Sequence, residues 1–270
     1  MITSSANPTI RQLRALRQRK ERDASGLCFV EGIRQVAEAI RSGAEIVQLI
    51  VAPELLTSPF AHTLLAEQAA IGTAQLELSR DLFERLSQKD GPQGLAAVVR
   101  QRWAALADVR LTTAPGWVAL LEPADPGNLG TIIRTADAVG ASGLFLLGPS
   151  ADPYDPAALR ASMGATFGMP LVRCAWEEFA AWQASSGAPL VGTSDQAPAD
   201  FQAVRYPQPL VLLMGSERQG LTPAQQASCQ HVVAIPMHGR ADSLNLAVAT
   251  GVLLYELLRQ ARGGQAASLV

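Results

Sequence analysis

Cysteine, histidine and aromatic residues are scarce in this 270-residue chain, and neither sign of charge dominates it. Cys28, Cys174 and Cys229 are odd in number, far apart and without metal-ligand spacing. That excludes a disulfide framework and leaves inert core thiols in a reducing cytoplasm as the reading. His62, His231 and His238 are isolated and read as surface or strand-edge residues, so neither a metal site nor histidine-driven catalysis is expected. No run of about 18 or more uncharged apolar residues occurs, so no membrane span is expected. The opening Met-Ile-Thr-Ser-Ser-Ala-Asn-Pro lacks the apolar centre of a signal peptide. A net charge of −2 supplies no overall attraction to nucleic acid.

What is present is a globular composition, 48% hydrophobic and 17% charged, able to bury a core. The length suggests about two domains at roughly 150 residues each. Charge is distributed unevenly. Residues 1–22 carry Arg11, Arg14, Arg17, Arg19, Lys20 and Arg22 against Glu21 alone. Such a run is either a solvated helix face or a footprint that tracks a phosphate backbone.

Periodicity divides the chain further. Asn7-Pro8 opens a helix with Ile10, Leu13 and Leu16 at helical spacing. Strands are read at 27–30, 46–51, 76–78 and 95–99, helices at 31–41 and 60–70, and a polar loop at 86–94. Residues 1–106 therefore form a small α/β domain, 107–116 a linker, 117–262 a second domain and 263–270 a tail. In the second domain, continuous apolar runs at 118–121, 144–147, 190–192, 210–214 and 232–235 alternate with helical patterns at 129–139, 156–163, 176–184, 222–228 and 243–261. That alternation predicts a parallel sheet covered by helices on both faces. Gly263-Gly264 is read as the end of the last helix.

Three strand-to-helix junctions break local rules, and ligands of such sheets gather beyond the carboxyl ends of the strands. In Glu122-Pro-Ala-Asp-Pro-Gly-Asn-Leu-Gly-Thr-Ile-Ile-Arg134, Asn128 lies in a tight loop that offers backbone N–H groups to an anion. Arg134 lies among apolar residues, where its planar fork suits phosphate. In Leu210-Val-Leu-Leu-Met-Gly-Ser-Glu-Arg-Gln-Gly-Leu221, Gly215 and Gly220 let a ligand approach backbone and Glu217 is a lone carboxylate. The spacing fits neither a P-loop nor a dinucleotide fingerprint. In Ile235-Pro-Met-His-Gly-Arg-Ala-Asp-Ser-Leu-Asn-Leu-Ala-Val-Ala-Thr-Gly251, Asn245 sits among apolar residues with no evident structural return, so alanine there is expected to hold or raise stability.

Asn-x-Gly-x-x-x-Arg-Thr-Ala at 128–136, Gly-x-Glu-x-x-Gly-Leu at 215–221 and Ile-Pro-Met…Ser-Leu-Asn…Ala-Thr-Gly at 235–251 together resemble the three motifs of the SpoU (TrmH-type) RNA ribose methyltransferases of the SPOUT class. Residues 160–170 resemble that family's intermotif segment. The opening Asn-Pro-x-Ile-Arg…Phe-Val-Glu-Gly is similar to its accessory domain, which looks like a small ribosomal RNA-binding protein. Arg218 and Ser216 depart from the usual pattern of the second motif.

The resemblance implies an α/β fold: a C-terminal SPOUT parallel sheet with a trefoil knot, plus a smaller N-terminal α/β RNA-binding domain. It implies S-adenosylmethionine as cofactor, bound around Thr193, Met214, Gly215, Gly220, Ile235, Met237, Ser243 and Leu244. It implies methylation of a ribose 2′-hydroxyl by a set comprising Asn128, Arg134, Glu217, Ser243 and Asn245, in a cytoplasmic homodimer without metal. Ribosomal RNA is the expected substrate, contacted by Arg11, Arg14, Arg17, Arg19, Lys20 and Arg22. Transfer RNA, an inactive RNA-binding relative and a metabolic nucleotide-cofactor enzyme are the rival readings; the last would not explain Asn128, Arg134, Ser243 and Asn245 together.

Overall fold

The computed structural model describes residues 1–113 and 115–267. The chain divides into two compact units, Met1–Arg102 with Asp152–Gly168, and residues 103–151 with those from 169 onward. None of the described helices is long and apolar enough to cross a membrane.

The first unit opens with α1 (Pro8–Ala15) and α2 (Arg19–Ser25). Asn7 caps α1 by accepting from the Thr9 N–H at 2.9 Å, with Pro8 in the first turn, where a missing N–H costs nothing. The remaining elements are β1 (Leu27–Glu31), α3 (Ile33–Arg41), β2 (Ile46–Val51), α4 (Pro59–Ala70), β3 (Gln75–Glu77), α5 (Arg80–Leu86) and β4 (Leu95–Arg100). The sheet order is β1-β4-β2-β3, with β4 antiparallel to both neighbours and β3 parallel to β2. Ile10, Leu13 and Leu16 pack into the same core as Leu82, Phe83 and Leu86 of α5. The opening helix is thus a wall of this core rather than a detachable arm. Helices α2 and α5 are absent from the sequence reading because each is only seven residues long and densely charged.

The second unit carries β5 (Gly116–Leu121), α6 (Pro126–Ala138) and β6 (Gly143–Leu147). Helix α7 (Pro156–Ser162) comes next in the chain but packs in the first unit. Then follow β7 (Leu171–Cys174), α8 (Trp176–Ser186), β8 (Leu190–Thr193), β9 (Ala199–Asp200), β10 (Leu210–Met214), α9 (Pro223–Ala227), β11 (His231–Ala234) and α10 (Leu246–Ala267). All neighbours in the seven-stranded sheet, ordered β7-β6-β5-β10-β8-β11-β9, are parallel. Every residue of β5, β6 and β10 is buried, as expected of central parallel strands covered on both faces. The scarce aromatics gather on one side of this sheet: the Phe145 ring centroid lies 4.9 Å from Trp117, 5.1 Å from Phe179 and 5.1 Å from Trp182. Such pairs add roughly 0.5–1.5 kcal/mol each beyond the area they bury. Strands β7 and β9 are additional to the sequence reading. Helix α10 starts at Leu246 rather than at 243 and passes through Gly263-Gly264 to Ala267, because glycine weakens a helix without ending it. Of the expected tail, residues 268–270 lie outside the described residues.

The 152–168 segment, expected within the second domain, is held in the first unit by a buried ion network. Arg22, 1% exposed, donates from Nε to Asp152 at 2.6 Å and from Nη2 to Asp155 at 3.3 Å. Its Nη1 reaches the carbonyls of Leu16 at 3.0 Å and Arg17 at 2.8 Å. Asp152 also accepts from the Tyr154 N–H, and Asp155 caps α7 through Ala157 N–H. A guanidinium this deep tolerates burial only because its donors meet oxygens. Removing it strands Asp152 at 4% exposure without its cation. Arg22→Ala is expected to lower the unfolding free energy by about 3–5 kcal/mol in a urea titration, with Arg22→Lys recovering little because a point charge cannot span both carboxylates. A change under about 1 kcal/mol would refute this account.

Candidate active site

Beyond the carboxyl ends of β8, β10 and β11, within the second unit, lies a cavity of about 890 Å³. The sense in which strands are added across the sheet changes here: β5, β6 and β7 progress one way, β8 and β11 the other, with β10 between β5 and β8. Ligands of doubly wound sheets bind at such switch points. The walls are the segment after β8, the loop after β10 and the segment joining β11 to α10. Thr193, Met214, Gly215, Gly220, Ile235, Met237, Ser243 and Leu244, the residues expected at the cofactor, all line it, as do Glu217 and Asn245. Residues 194–198 also line it, a polar Ser-Asp-Gln-Ala-Pro turn that carries the same strand-end signal as the other loops and is absent from the site expected from sequence.

The loop after β10 is tightly closed. Ser216 N–H donates to Gly220 O at 3.2 Å and Gly220 N–H to Ser216 O at 2.9 Å. A side chain at Gly215 would stand 2.7 Å from Gly220 Cα, and Gly220 itself has φ +64, so both ends of the loop require glycine. Backbone therefore forms a wall of the cavity. Apolar Met214, Leu221, Val233 and Ile235 flank it with Thr193, Ser243 and backbone polar groups, a donor set suited to a flat heteroaromatic ring with a polar chain. An S-adenosylmethionine molecule fits this volume and this chemistry.

A polar web ties the first motif to the other two. Asp125 caps α6 by accepting from Asn128 N–H at 2.6 Å. The Asn128 side chain donates from Nδ2 to Glu217 Oε1 at 2.6 Å and accepts at Oδ1 from Asn245 Nδ2 at 3.0 Å. Asn245 Oδ1 in turn accepts from the N–H groups of Ala247 at 2.9 Å and Val248 at 3.3 Å. This corrects the sequence reading. Asn245 is the N-cap of α10, not an interior helix residue, and it does have a structural return. Ser243 is exposed and, among the described residues, its side chain bonds only its neighbour Asp242, at 3.3 Å.

Arg134 stands apart. It is six residues beyond Asn128, hence about 9 Å along the α6 axis and a third of a turn away. It is exposed rather than set among Ile132, Ile133 and Ala136, which are fully buried, and among the described residues its side chain has no hydrogen bond or ion pair. Glu217, Ser243 and Asn245 line the cavity; Asn128 lies outside the lining but is bonded to Glu217 and Asn245, whereas Arg134 is outside the lining without such a link.

The basic residues of 1–22 prove unequal. Arg11, Arg19 and Lys20 are exposed, with Arg19 drawn to Asp23 at 3.4 Å. Arg14 is partly buried, and Arg17 donates to Leu86 O at 2.6 Å. Arg22 is withdrawn into the buried ion network and cannot contact RNA, a correction that periodicity could not anticipate. Burial pushes the thiols of Cys174 and Cys229 up to about 11, and that of Cys28 higher still, so all three stay protonated and inert.

The SpoU rRNA Methylase family model matches residues 116–255, and the MRM3-like substrate binding domain model matches residues 7–97. The 23S rRNA (uridine(2479)-2′-O)-methyltransferase of Streptomyces viridochromogenes is 35% identical over 98% of this chain and 94% of its own length. The 23S rRNA (guanosine(2553)-2′-O)-methyltransferase RlmP of Bacillus subtilis is 30% identical over 95% of this chain and 98% of its own. Among solved structures, the AdoMet-bound rRNA methyltransferase from Sinorhizobium meliloti superimposes with a TM-score of 0.88, at 38% identity, covering 96% of this chain and 97% of that one. The SpoU methyltransferase AviRb from Streptomyces viridochromogenes, in complex with AdoMet, gives 0.84 at 34% identity, covering 94% and 98%.

The web separates two effects of one residue. Asn245→Ala removes a helix cap and is expected to cost about 1 kcal/mol, a fall in melting temperature of roughly 2–4 °C. Asn245→Asp keeps the cap while placing a carboxylate oxygen against Asn128 Oδ1. It is expected to hold the melting temperature yet weaken S-adenosylmethionine binding measured by calorimetry. Wild-type stability in Asn245→Ala would overturn the capping assignment.

Proposed function

This chain belongs to the SpoU rRNA methylase family, and from that premise we propose that it methylates a ribose 2′-hydroxyl of large-subunit ribosomal RNA. It is an S-adenosylmethionine-dependent RNA 2′-O-methyltransferase, in keeping with the relatives named above. The observation that carries the reading is the cavity at the switch point, where all three sequence motifs converge through the Asn128 web. A ribosomal substrate implies a cytoplasmic enzyme. The insertion of β10 between β5 and β8 supports the trefoil knot implied by the family.

S-adenosylmethionine supplies an electrophilic methyl group on a positively charged sulfur. Gly215, Ile235 and Leu244 would hold it through their backbone groups, with Thr193, Met214, Gly220, Met237 and Ser243 around it. Asn128, Glu217 and Asn245 tie the start of α6, the loop after β10 and the start of α10 to one another, and so would fix where the ribose hydroxyl is held against the cofactor. Alignment of this kind is worth on the order of 7–11 kcal/mol of barrier. Arg134 binds substrate phosphate and stabilises charge developing on the 2′-oxygen. It cannot act as the base, because a guanidinium stays protonated in proteins, so the proton lost by the 2′-hydroxyl passes to the substrate phosphate that Arg134 holds.

Arg134 lies off its own cavity, and that suits a composite site. On α10, Val248 is 52% and Tyr255 56% exposed, with half-buried Val252 on the same face. Thr135, the neighbour of Arg134, packs its methyl close to Gly251 of α10. Exposed apolar side chains on a helix packed beside the one that carries Arg134 fit a twofold contact between copies of this chain. In that homodimer the partner's Arg134 serves this cavity. Exposed Arg11, Arg19 and Lys20 of the first unit attract the RNA.

Arg134→Ala is expected to abolish methyl transfer, measured with tritiated S-adenosylmethionine on 23S ribosomal RNA, while cofactor affinity stays within a few-fold. Arg134→Lys should not restore activity, because a point charge does not replace a planar fork. Transfer at the wild-type rate by either variant would refute the role. Val248→Glu with Tyr255→Glu is expected to shift the protein to monomer in sedimentation and to remove transfer together with dimerisation; an active monomer would dismiss the composite site.

A further inference from the structure

The first unit carries a groove that the methyl-transfer chemistry does not use. Phe60 stands 46% exposed in the first turn of α4, just after the capping Ser58. With Arg34, Arg41, Ser58 and Gln93 it lines a cavity of about 390 Å³. The Arg41 guanidinium lies 5.6 Å from the Phe60 ring centroid, and its carboxylate neighbour Glu38 approaches only to 3.9 Å. Across the turn at Gly32 lies a second cationic group, Arg17, Lys89 and Arg160, around a shallow pocket whose single carboxylate is Glu31. The two sets meet over Gly32, which has φ +107: a side chain there would touch Lys89 Nζ at 2.5 Å and Gln93 Oε1 at 3.8 Å.

The cations here are poorly neutralised. Lys89 Nζ donates to the Glu31 carbonyl at 2.7 Å, while the Glu31 carboxylate is occupied by Ser87 Oγ and Gln88 N–H. Burial holds the Lys89 ammonium below the ordinary lysine range, Glu31 opposing that shift and nearby Arg160 adding to it. Like charges held this close favour an anion between them. The ring beside them adds a different requirement, a flat apolar partner, since an exposed aromatic next to arginine is how proteins hold unstacked bases. An acidic peptide would satisfy the cations and leave Phe60 in water. A wholly apolar partner would leave Arg34 and Arg160 unanswered.

We propose that this groove seats an unpaired stretch of the RNA substrate, with one base stacked on Phe60 and flanking phosphates on Arg34, Arg41, Lys89 and Arg160. The inference rests on the reading that the substrate is RNA, and it assigns recognition in the first unit to the Gly32 side rather than to residues 1–22 alone.

The test titrates full-length protein with transcribed 23S ribosomal RNA at several salt concentrations. Phe60→Ala is expected to weaken binding between about 5-fold and 100-fold with an unchanged salt slope, because stacking carries no charge. Phe60→Trp is expected to bind like wild type. Arg34→Ala is expected to flatten the slope by about 0.7, the value for one single-strand phosphate contact. S-adenosylmethionine affinity should be the same in all of them. Phe60→Ala binding like wild type overturns the proposal, as does loss of binding in Phe60→Trp. Competition by polyglutamate as strong as by a homopolymeric RNA also overturns it. Failure of the wild type to bind RNA defeats the underlying reading of the substrate, whereas wild-type binding with unaltered variants defeats only this groove.

Discussion

The side-chain amide of Asn128 is the point on which the geometry of the cavity depends. It gives a hydrogen to Glu217 and takes one from Asn245, partners that lie 89 and 117 residues further along the chain. The orientation is forced. Asn245 has its own oxygen committed to the first N–H groups of α10, so only its amide nitrogen faces Asn128. Only a donor can in turn satisfy Glu217. An isosteric aspartate at 128 would set like charges together, and a hydroxyl would be too short to bridge both. Each bond sits at the surface and contributes about 0.5–1.5 kcal/mol at most. The web therefore matters for where the loops stand more than for whether the protein stays folded.

Around that point the cavity is built largely from main chain. The loop after β10 closes on itself between two glycines, so its shape is set by backbone sterics rather than by side-chain choice. This makes the departures at Ser216 and Arg218 intelligible. Ser216 takes part in the closure, its Oγ accepting from the Gln219 N–H at 3.3 Å, and Arg218 adds a cation to the cavity wall.

Much of this was legible in the sequence, for identifiable physical reasons. Continuous apolar runs mark β5, β6 and β10 because central parallel strands are buried on both faces, and strand-end glycines and asparagines mark the cavity because close backbone approach demands them. What escaped is what periodicity does not encode. Pattern shows which face of α7 is apolar, not which unit it packs against. Arg22 reads like its neighbours Arg19 and Lys20, because only the distant Asp152 distinguishes a buried cation from a solvated one. Asn245 reads as a helix-interior anomaly until the helix is seen to start one residue later. Strand β9, two residues long, is held by its ladder to β11 and carries no signal of its own.

The excursion of residues 152–168 has a consequence for synthesis and for evolution. The chain emerges from the ribosome N-terminus first, yet the first unit lacks Asp152, Tyr154 and α7 until residue 168 has been made. By then β5, α6 and β6 of the other unit are already translated. For that interval the Arg22 guanidinium has no carboxylate to meet. The first unit therefore completes only after part of the second has been made, and the two halves cannot be traded between proteins as contiguous blocks. A recombination event that moved residues 1–102 alone would carry away a buried positive charge and leave its counter-charges behind.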